Sequence, residues 1–274
     1  MRIALALSVF GVLPLTALPA ARAQEPVRVT YRTYAVGLHI ADAAGTLGIG
    51  PWSYQLSLTL RTIGVGAMLY RGHQDIAVYG IWSGHRPAPR QFNGTGLWRG
   101  EPRALSIEYD RGMPTIRQLL PPLEAERERV PPHLQPDTID SLSTLAALIR
   151  AVERTGRCET TARTFDGRRV AEIAARTVGP ETLETTSRSS FSGTAMRCDF
   201  VSRVVAGFRA DEDKKTDYRP LRGSAWLADV LPGRPLVPVR ISIETRWFGN
   251  ATSYLASING DTAAVAAERV PSGR

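Results

Sequence analysis

The chain has 274 residues, a formal net charge of +8 and a hydrophobic content of 43%. This length is enough for one large β domain or two small ones. The only lysines are Lys214 and Lys215, and the arginines are scattered among acidic residues rather than gathered in one stripe. That distribution excludes the clustered basic footprint of a nucleic-acid-binding protein. It leaves a weak preference for an anionic membrane surface or an acidic partner.

Residues 1–23 have the pattern of a secretory signal. Arg2 gives the positive start, residues 3–18 are apolar, and Ala21-Arg22-Ala23 has the small-x-small form that signal peptidase cuts. The apolar stretch is shorter than the ~20 residues of a membrane-spanning helix, and proline and glycine interrupt it. We therefore expect cleavage after Ala23, release into the periplasm, and no transmembrane segment in the mature chain.

Alternation of apolar and polar residues predicts a series of strands in the first half of the chain. The clearest is 54–63, in which Leu56, Leu58 and Leu60 fall on one face. The predicted strands are 27–36, 37–46 (a short strand or a bend), 54–63, 75–82, 91–98, 104–109 and 113–120. Asp110-Arg111-Gly112 is typical of a turn, so the last two strands are expected to form a hairpin.

Residues 121–136 are the clearest internal break. The segment has prolines at both ends and a charged run, 124–129, between them, which is typical of an exposed loop. Such a break can separate two β subdomains. We expect instead an excursion within a single β-rich domain over 24–260, because neither half of the chain has a complete core of its own.

The spacing of apolar residues predicts one amphipathic helix over 139–154. Positions three and four apart share a helix face, and the face predicted to contact the core or a cavity consists of Leu142, Leu145, Ile149 and Val152. Asp137, Thr138 or Asp140 can cap its start, and Gly156 suits the left-handed position after its end. We expect this helix to pack in the core; the alternative is a helix that binds a partner.

The second half of the chain again reads as strands. Asp166-Gly167 stands between two alternating runs, which is a strong hairpin signal. The predicted strands are 159–165, 168–177, 181–190, 193–205, 223–230, 237–248 and 253–258. Residues 261–274 are rich in alanine and are expected to form a flexible tail.

Cys158 and Cys198 are the only two cysteines. An even pair in an exported chain predicts a structural disulfide. A redox pair is disfavoured because the CxxC spacing is absent, and a zinc site would need two further ligands although no histidine lies near either cysteine.

The sequence contains no recognisable catalytic motif: GxSxG, HExxH, a P-loop lysine and a GxGxxG turn are all absent. The four histidines, His39, His73, His85 and His133, are dispersed. We expect no enzyme activity, no cofactor and no metal, although a Ser-His-Asp set assembled only by the fold stays open. The charged loop 211–217 lacks the EF-hand pattern, so a calcium site is not expected there.

An ordered set of short stretches carries a family resemblance. They are the opening strand 31–37, Leu60-Arg61-Thr62-Ile63-Gly64, Gly80-Ile81-Trp82, Thr138-Ile139-Asp140-Ser141-Leu142-Ser143, and Cys158 followed by Phe165-Asp166-Gly167-Arg168-Arg169, Cys198 and Pro238-Val239-Arg240-Ile241. The set resembles the domain-of-unknown-function 3108 family of exported bacterial proteins. The resemblance implies a mainly β fold, in which one long antiparallel curved sheet wraps around one amphipathic helix. This half-barrel or β-spiral would be similar to the half-barrel of periplasmic lipoprotein carriers. The resemblance implies no activity.

These observations together favour a binding protein over an enzyme. We expect a non-enzymatic periplasmic protein of cell-envelope maintenance, whose β scaffold binds an envelope protein or a lipoprotein. The alternative is a carrier that holds a lipid or another apolar ligand in the concave face of the sheet. The carrier ranks second because the predicted helix is expected to leave little room in that concavity.

Overall fold

The structure is a computed structural model of the chain. It describes residues 25–69, 71–123, 127–189, 191–209, 219–245, 249–261 and 265–266. The predicted signal at 1–23 and the charged loop at 211–217 lie outside the described residues.

The first half of the chain is a meander of strands with one short helix. Its elements are β1 (Val27–Ala35), β2 (Leu38–Ile49), β3 (Ser53–Thr62), α1 (Gly64–Leu69), β4 (Gly72–Ser83), β5 (Arg86–Trp98), β6 (Glu101–Asp110) and β7 (Met113–Leu120). The predicted strands are all present and most are longer than predicted. The α1 helix was not predicted; its six residues give too short a periodic pattern to recognise.

The second half begins with helices and continues as a second meander. Its elements are a 3-10 helix (Pro132–Leu134), α2 (Ser141–Thr155), β8 (Thr160–Phe165), β9 (Val170–Leu183), β10 (Phe191–Ala206), β11 (Leu221–Ala228), β12 (Val237–Glu244), β13 (Asn250–Ile258) and β14 (Val265–Ala266). Among the described residues, none of these helices is long and apolar enough to cross a membrane.

All but one of the strands form a single antiparallel path, and the prediction of a long antiparallel sheet is confirmed. The order is β7-β6-β5-β4-β3-β2-β1-β13-β12-β11-β10-β9-β8, with β14 pairing in parallel to β10. The two meanders are joined where β1 pairs with β13. The path therefore has two edges, β7 and β8, and the chain passes between them through the 121–140 segment.

Alternating burial shows which face of the sheet holds the core. In β1, Val27, Val29 and Tyr31 are buried whereas the residues between them are exposed, because successive side chains of a strand point to opposite faces. Residues of both meanders share one hydrophobic core, for example Leu56 of β3 and Leu255 of β13. The sheet thus encloses one concave side.

The α2 helix occupies this concave side. Leu142, Ile149 and Val152 of the predicted face are buried, and Leu145 is partly buried against the same core. The helix contacts β3, β4, β5 and β8, and so bridges the two meanders. Its N-cap is Asp140, whose carboxylate accepts the Ser143 backbone N–H at 2.8 Å.

The predicted disulfide between Cys158 and Cys198 is confirmed, with the two Cα atoms 5.6 Å apart. Both cysteines are fully buried. Cys158 follows α2 and Cys198 lies in β10, so the bond fixes the end of the helix to a strand in the middle of the second meander.

One strand boundary was predicted wrongly. The strands predicted at 168–177 and 181–190 form a single strand, β9, which ends at Leu183. Gly179 lies between the two predicted strands; it has a φ of 139°, and a register shift in the pairing with β10 lies opposite it. A β-bulge at a glycine lets the strand continue.

Candidate functional site: the open edge of β7

The chain itself covers one of the two sheet edges. Ile139, just before α2, forms an isolated parallel β-bridge with Thr164 of β8. Its backbone N–H donates to the Arg163 carbonyl at 2.9 Å, and its carbonyl accepts the Phe165 N–H at 2.9 Å. This contact pairs part of the β8 backbone and leaves less of that edge free for another strand.

The other edge, formed by β7, is open. Within the described residues β7 pairs with β6 alone. Pro114 is its only buried residue, and Met113, Ile116 and Leu120 have 47%, 38% and 42% of their surface exposed. An unpaired row of backbone N–H and C=O groups beside exposed apolar side chains is a template for another strand.

The turn that starts β7 sets which backbone groups point outward. Arg111 and Gly112 have φ values of 47° and 84°, as in a type I′ turn, so Asp110 and Met113 close a two-residue hairpin. Hydrogen-bonded and non-hydrogen-bonded pairs alternate along such a hairpin. The Ile116 N–H and C=O therefore point away from β6, toward the open side.

The open edge is held at both ends. The Asp137 backbone N–H donates to the Gly112 carbonyl at 2.8 Å, and the Arg168 guanidinium donates to the Pro121 carbonyl at 2.7 Å. Pro121 directly follows β7 and Gly112 directly precedes it. Residues 113–120, called the β7 edge below, thus lie between two fixed points.

The β7 edge has some of the features that block unwanted pairing. Pro114 lacks a backbone donor, Arg117 pairs with Glu108 on the exposed surface at 2.8 Å, and the register with β6 shifts beside Ile107. From Thr115 to Leu120, however, Arg117 is the only charged residue. The edge is therefore only partly protected.

A cluster of buried polar side chains lies on the concave side of the sheet, at the start of α2. Ser143 donates its hydroxyl hydrogen to the Asp140 carboxylate, and its oxygen accepts the Tyr54 hydroxyl at 2.8 Å. Burial raises the pKa of the Asp140 carboxyl above its usual range, although the hydrogen bonds from Ser143 oppose this. Burial also raises the pKa of the Tyr54 hydroxyl.

Tyr109 of β6 adds a fourth group to this cluster. Its hydroxyl is buried and has no hydrogen-bond partner within the described part of the chain. Its pKa is raised, mainly by burial and also by the nearby Asp140 charge. Asp140 and Ser143 are 1% and 0% exposed, so a reactant would need an opening in the core to reach them.

Three of the four histidines make separate contacts in the structure. His39 pairs with Asp42 and His73 pairs with Asp75, each at 2.7 Å, and His85 contacts Arg154 at 3.0 Å. His133 lies apart in the 3-10 helix. In the described ranges no group of three or more histidine, cysteine or acidic residues is placed to hold a metal ion.

Two open grooves were found among the described residues. The larger, about 410 Å³, runs across β9 to β12 and has a mixed lining that includes Arg176, Phe200 and Ser242. The smaller, about 330 Å³, lies at the end of the β7 edge and is lined by Glu101, Pro102, Arg103, Leu120 and Pro121.

The sequence did not identify β7 as an open edge of the sheet. Residues 113–120 were predicted as a strand, but their edge position depends on which strands pair. The buried cluster was visible only as Asp140, one of three possible helix caps. Tyr54 and Tyr109 lie far from it in sequence, and the fold alone brings them together.

The fold and these edges define an open, β-barrel-like protein whose concave side is occupied by a helix. The chain matches the family described as "Protein of unknown function (DUF3108)" over residues 27–256. It belongs to that family, and the predicted resemblance is confirmed.

A solved structure has the same fold. It is the crystal structure of a beta-barrel-like protein of domain of unknown function DUF1849 from Brucella abortus, with a TM-score of 0.53 and 12% sequence identity. The match covers 85% of this chain and 96% of that one. At this identity the similarity shows the fold alone. No match was found among curated proteins.

Proposed function

We propose that the protein is a non-enzymatic β scaffold of cell-envelope maintenance that binds an envelope protein or lipoprotein. Binding occurs by strand addition: an extended segment of the partner pairs with the β7 edge. The observation that carries this proposal is the contrast between the two sheet edges. The chain pairs β8 with its own residue Ile139. In contrast, β7 has exposed apolar residues, and no second strand among the described residues pairs with its outward backbone groups.

The β7 edge also indicates what kind of segment binds. Main-chain hydrogen bonds supply affinity in strand addition, and alternate side chains supply specificity. A segment paired to Thr115–Leu120 would lie beside the exposed Ile116 and Leu120 side chains. The register shift opposite Ile107 places Ile116 and Leu120 on opposite faces of the sheet. We therefore expect the segment to be extended, to carry an apolar residue on each face, and to lack proline at its paired positions.

We also propose that the protein has no enzyme activity. A catalytic site needs convergent titratable groups that a substrate can reach. The histidines are separated from one another, and the Asp140 cluster is closed off by burial. Both features support a binding role.

The periplasmic location is likewise proposed. It is supported by the signal pattern at 1–23 and by the buried disulfide, because disulfides persist in oxidising compartments. The lipid-carrier alternative has weaker support, since α2 packs its apolar side chains against the concave side of the sheet.

Site-directed photo-cross-linking in living cells tests the proposal. A photoreactive residue at Gln118, on the β7 edge, is compared with one at Arg90, which is exposed in β5 between two other strands. We expect one defined envelope protein or lipoprotein to cross-link at Gln118 and not at Arg90. Equal cross-linking at both positions, or none at Gln118, would contradict strand addition.

Ile116→Pro sharpens the test because it removes an outward N–H while sparing the ladder to β6. The variant should lose the cross-link and keep its far-UV circular dichroism spectrum. Ile116→Val keeps the N–H and is the matched control, which should retain the cross-link. Lipid retained by the purified protein, with no protein partner at β7, would favour the carrier instead.

A further inference from the structure

A row of alternating cationic and aromatic side chains crosses five adjacent strands, and one member, Trp226, is itself buried. Its members, in strand order from β10 through β11, β12 and β13 to β1, are Arg197, Trp226, Arg240, Tyr254 and Arg32. Each lies directly opposite the next in the strand pairing. They are called the arginine–aromatic row below.

The centre of the row is Arg240, which lies between two rings. Its guanidinium carbon is 5.2 Å from the centre of the Trp226 ring and 5.4 Å from that of Tyr254. Both contacts are within the range of cation–π attraction. The two rings hold the guanidinium in place without using its hydrogen-bond donors.

The cations of the row differ in how their charge is balanced. Arg197 is neutralised by Asp199 at 3.2 Å and Glu181 at 3.6 Å. Arg240 has no ion pair or hydrogen bond within the described part of the chain, and its Nε is buried without a partner. The terminal nitrogens of the same guanidinium also have no hydrogen-bond partner there, so an anionic ligand that accepts their hydrogen bonds is favoured.

Arg32 is the second cation of the row that has no ion pair within the described part of the chain. It lies opposite Tyr254 on the side away from Arg240, and it is exposed. Its neighbour in β2 is Asp42, whose carboxylate is oriented by a 2.7 Å contact with His39 and offsets one of the positive charges on this part of the surface. Neighbouring strands are ~4.8 Å apart, so the backbones of Arg32 and Arg240 are about two strand spacings apart. Their long side chains can therefore converge over Tyr254.

The nearby acids are already engaged. Asp199 accepts hydrogen bonds from Ser224 and Arg197, and Glu181 accepts from the Trp226 indole N–H at 2.9 Å. A third guanidinium, that of Arg188, lies 5.0 Å from the Tyr34 ring, which itself contacts Tyr254 edge to face. The surface around Tyr254 therefore carries a local excess of positive charge.

We propose that Arg240 and Arg32 bind a phosphate group over the Tyr254 ring. Guanidinium groups match phosphate oxygens with paired hydrogen bonds. A carboxylate would neutralise only one of the two cations, whereas a phosphate monoester carries about two negative charges at neutral pH. The site is separate from the β7 edge, so it does not depend on the proposed function.

Two sources can present this chemistry, a lipid headgroup and a free phosphate, and two assays distinguish them. Inorganic phosphate is titrated calorimetrically into the mature, disulfide-bonded chain. The same protein is floated with phosphatidylcholine vesicles that contain or lack phosphatidic acid. Saturable binding in the titration assigns a small anion, and binding only to the phosphatidic acid vesicles assigns a headgroup.

Four variants decide whether the row is responsible for binding. Arg240→Gln and Arg32→Gln should each weaken binding at least tenfold. Arg90→Gln removes the same charge from an exposed position on β5 and should leave binding within twofold of wild type. Arg240→Lys should give an intermediate loss, because it keeps the charge but not the planar fork.

Two results would overturn the proposal: no binding of wild type in either assay, or an equal loss in Arg90→Gln and the row variants. The second result would show general electrostatic attraction. If Arg240→Gln fails to fold, the exposed Arg32→Gln variant decides the question alone.

Discussion

At the start of α2 one carboxyl group has two conflicting tasks. Asp140 caps the helix through the Ser143 N–H, and it is the only buried acid among the residues that the structure describes. Burial raises its folded-state pKa above the usual 3.8, chiefly by desolvation. Between these two pKa values the folded protein therefore binds more protons than the unfolded chain, and stability falls as pH rises.

This conflict predicts a pH-dependent effect of Asp140→Asn. Asparagine caps helices about as well as aspartate, but it never has to be ionised in the core. The stability of wild type relative to the variant should be greatest below pH 4 and should decline as pH rises toward neutrality. Urea unfolding between pH 3.5 and 8 measures this difference. A constant difference, or one that grows with pH, would show that the carboxyl does not titrate as its burial requires.

Among the elements, the disulfide connects two segments that the sheet keeps apart. It joins the end of α2 to β10, and 40 residues separate the cysteines. The β8 and β9 strands lie within the closed loop. Without the bond, the helix end would be held mainly by its apolar contacts.

Replacing both cysteines with alanine should therefore lower the free energy of unfolding by about 4 kcal/mol, as chain entropy gives for a loop of this length. Urea titrations of wild type, oxidised and reduced, and of the double variant measure the loss. The reduced wild type and the variant should agree within ~1 kcal/mol. A loss below ~1 kcal/mol in both would mean that packing alone fixes the helix to β10.

The sequence predicts elements that depend on neighbouring residues, but not contacts between residues that lie far apart in the chain. The strands and α2 follow from local alternation and helical spacing, as with Leu142, Ile149 and Val152. The pairing of β1 with β13 does not, because its partners are more than 200 residues apart, as Arg28 and Asn259 are. The edge position of β7 depends on the same long-range pairing. The Tyr54–Ser143–Asp140 cluster likewise needed the helix to be placed against β3.

At the scale of the whole molecule, the sheet is a meander in which the first strand, β1, pairs with β13 in its interior. The start of β1 lies beside the end of β13: the Arg28 carbonyl accepts the Asn259 N–H at 2.8 Å, and the Arg28 N–H donates to the Asn259 side chain at 3.0 Å. The sheet edges lie instead at β7 and β8, in the middle of the sequence. The sheet order thus corresponds to a continuous meander that starts at β8 and ends at β7.

A circular permutant tests whether this order alone specifies the sheet. Its new termini lie at the exposed Pro122, and a short glycine–serine linker joins Asp261 to Glu25. Every antiparallel strand pair is kept and becomes a pairing of sequence neighbours, so loops stay short. We expect a cooperative unfolding transition within ~2 kcal/mol of wild type and an intact disulfide, because exposed loops tolerate new termini.

Two control proteins are needed to interpret the result of the Pro122 permutant. A wild-type chain truncated after Asp261 measures the contribution of the residues that the linker replaces, including the β14 contact with β10. A permutant opened at Gly80, inside β4, should not fold, because it cuts two strand pairings at once. If the Pro122 permutant also fails while the truncated chain folds, the passage from β7 through residues 121–140 into α2 must be covalently continuous. The helix would then be positioned by its connection to β7 as well as by its apolar face.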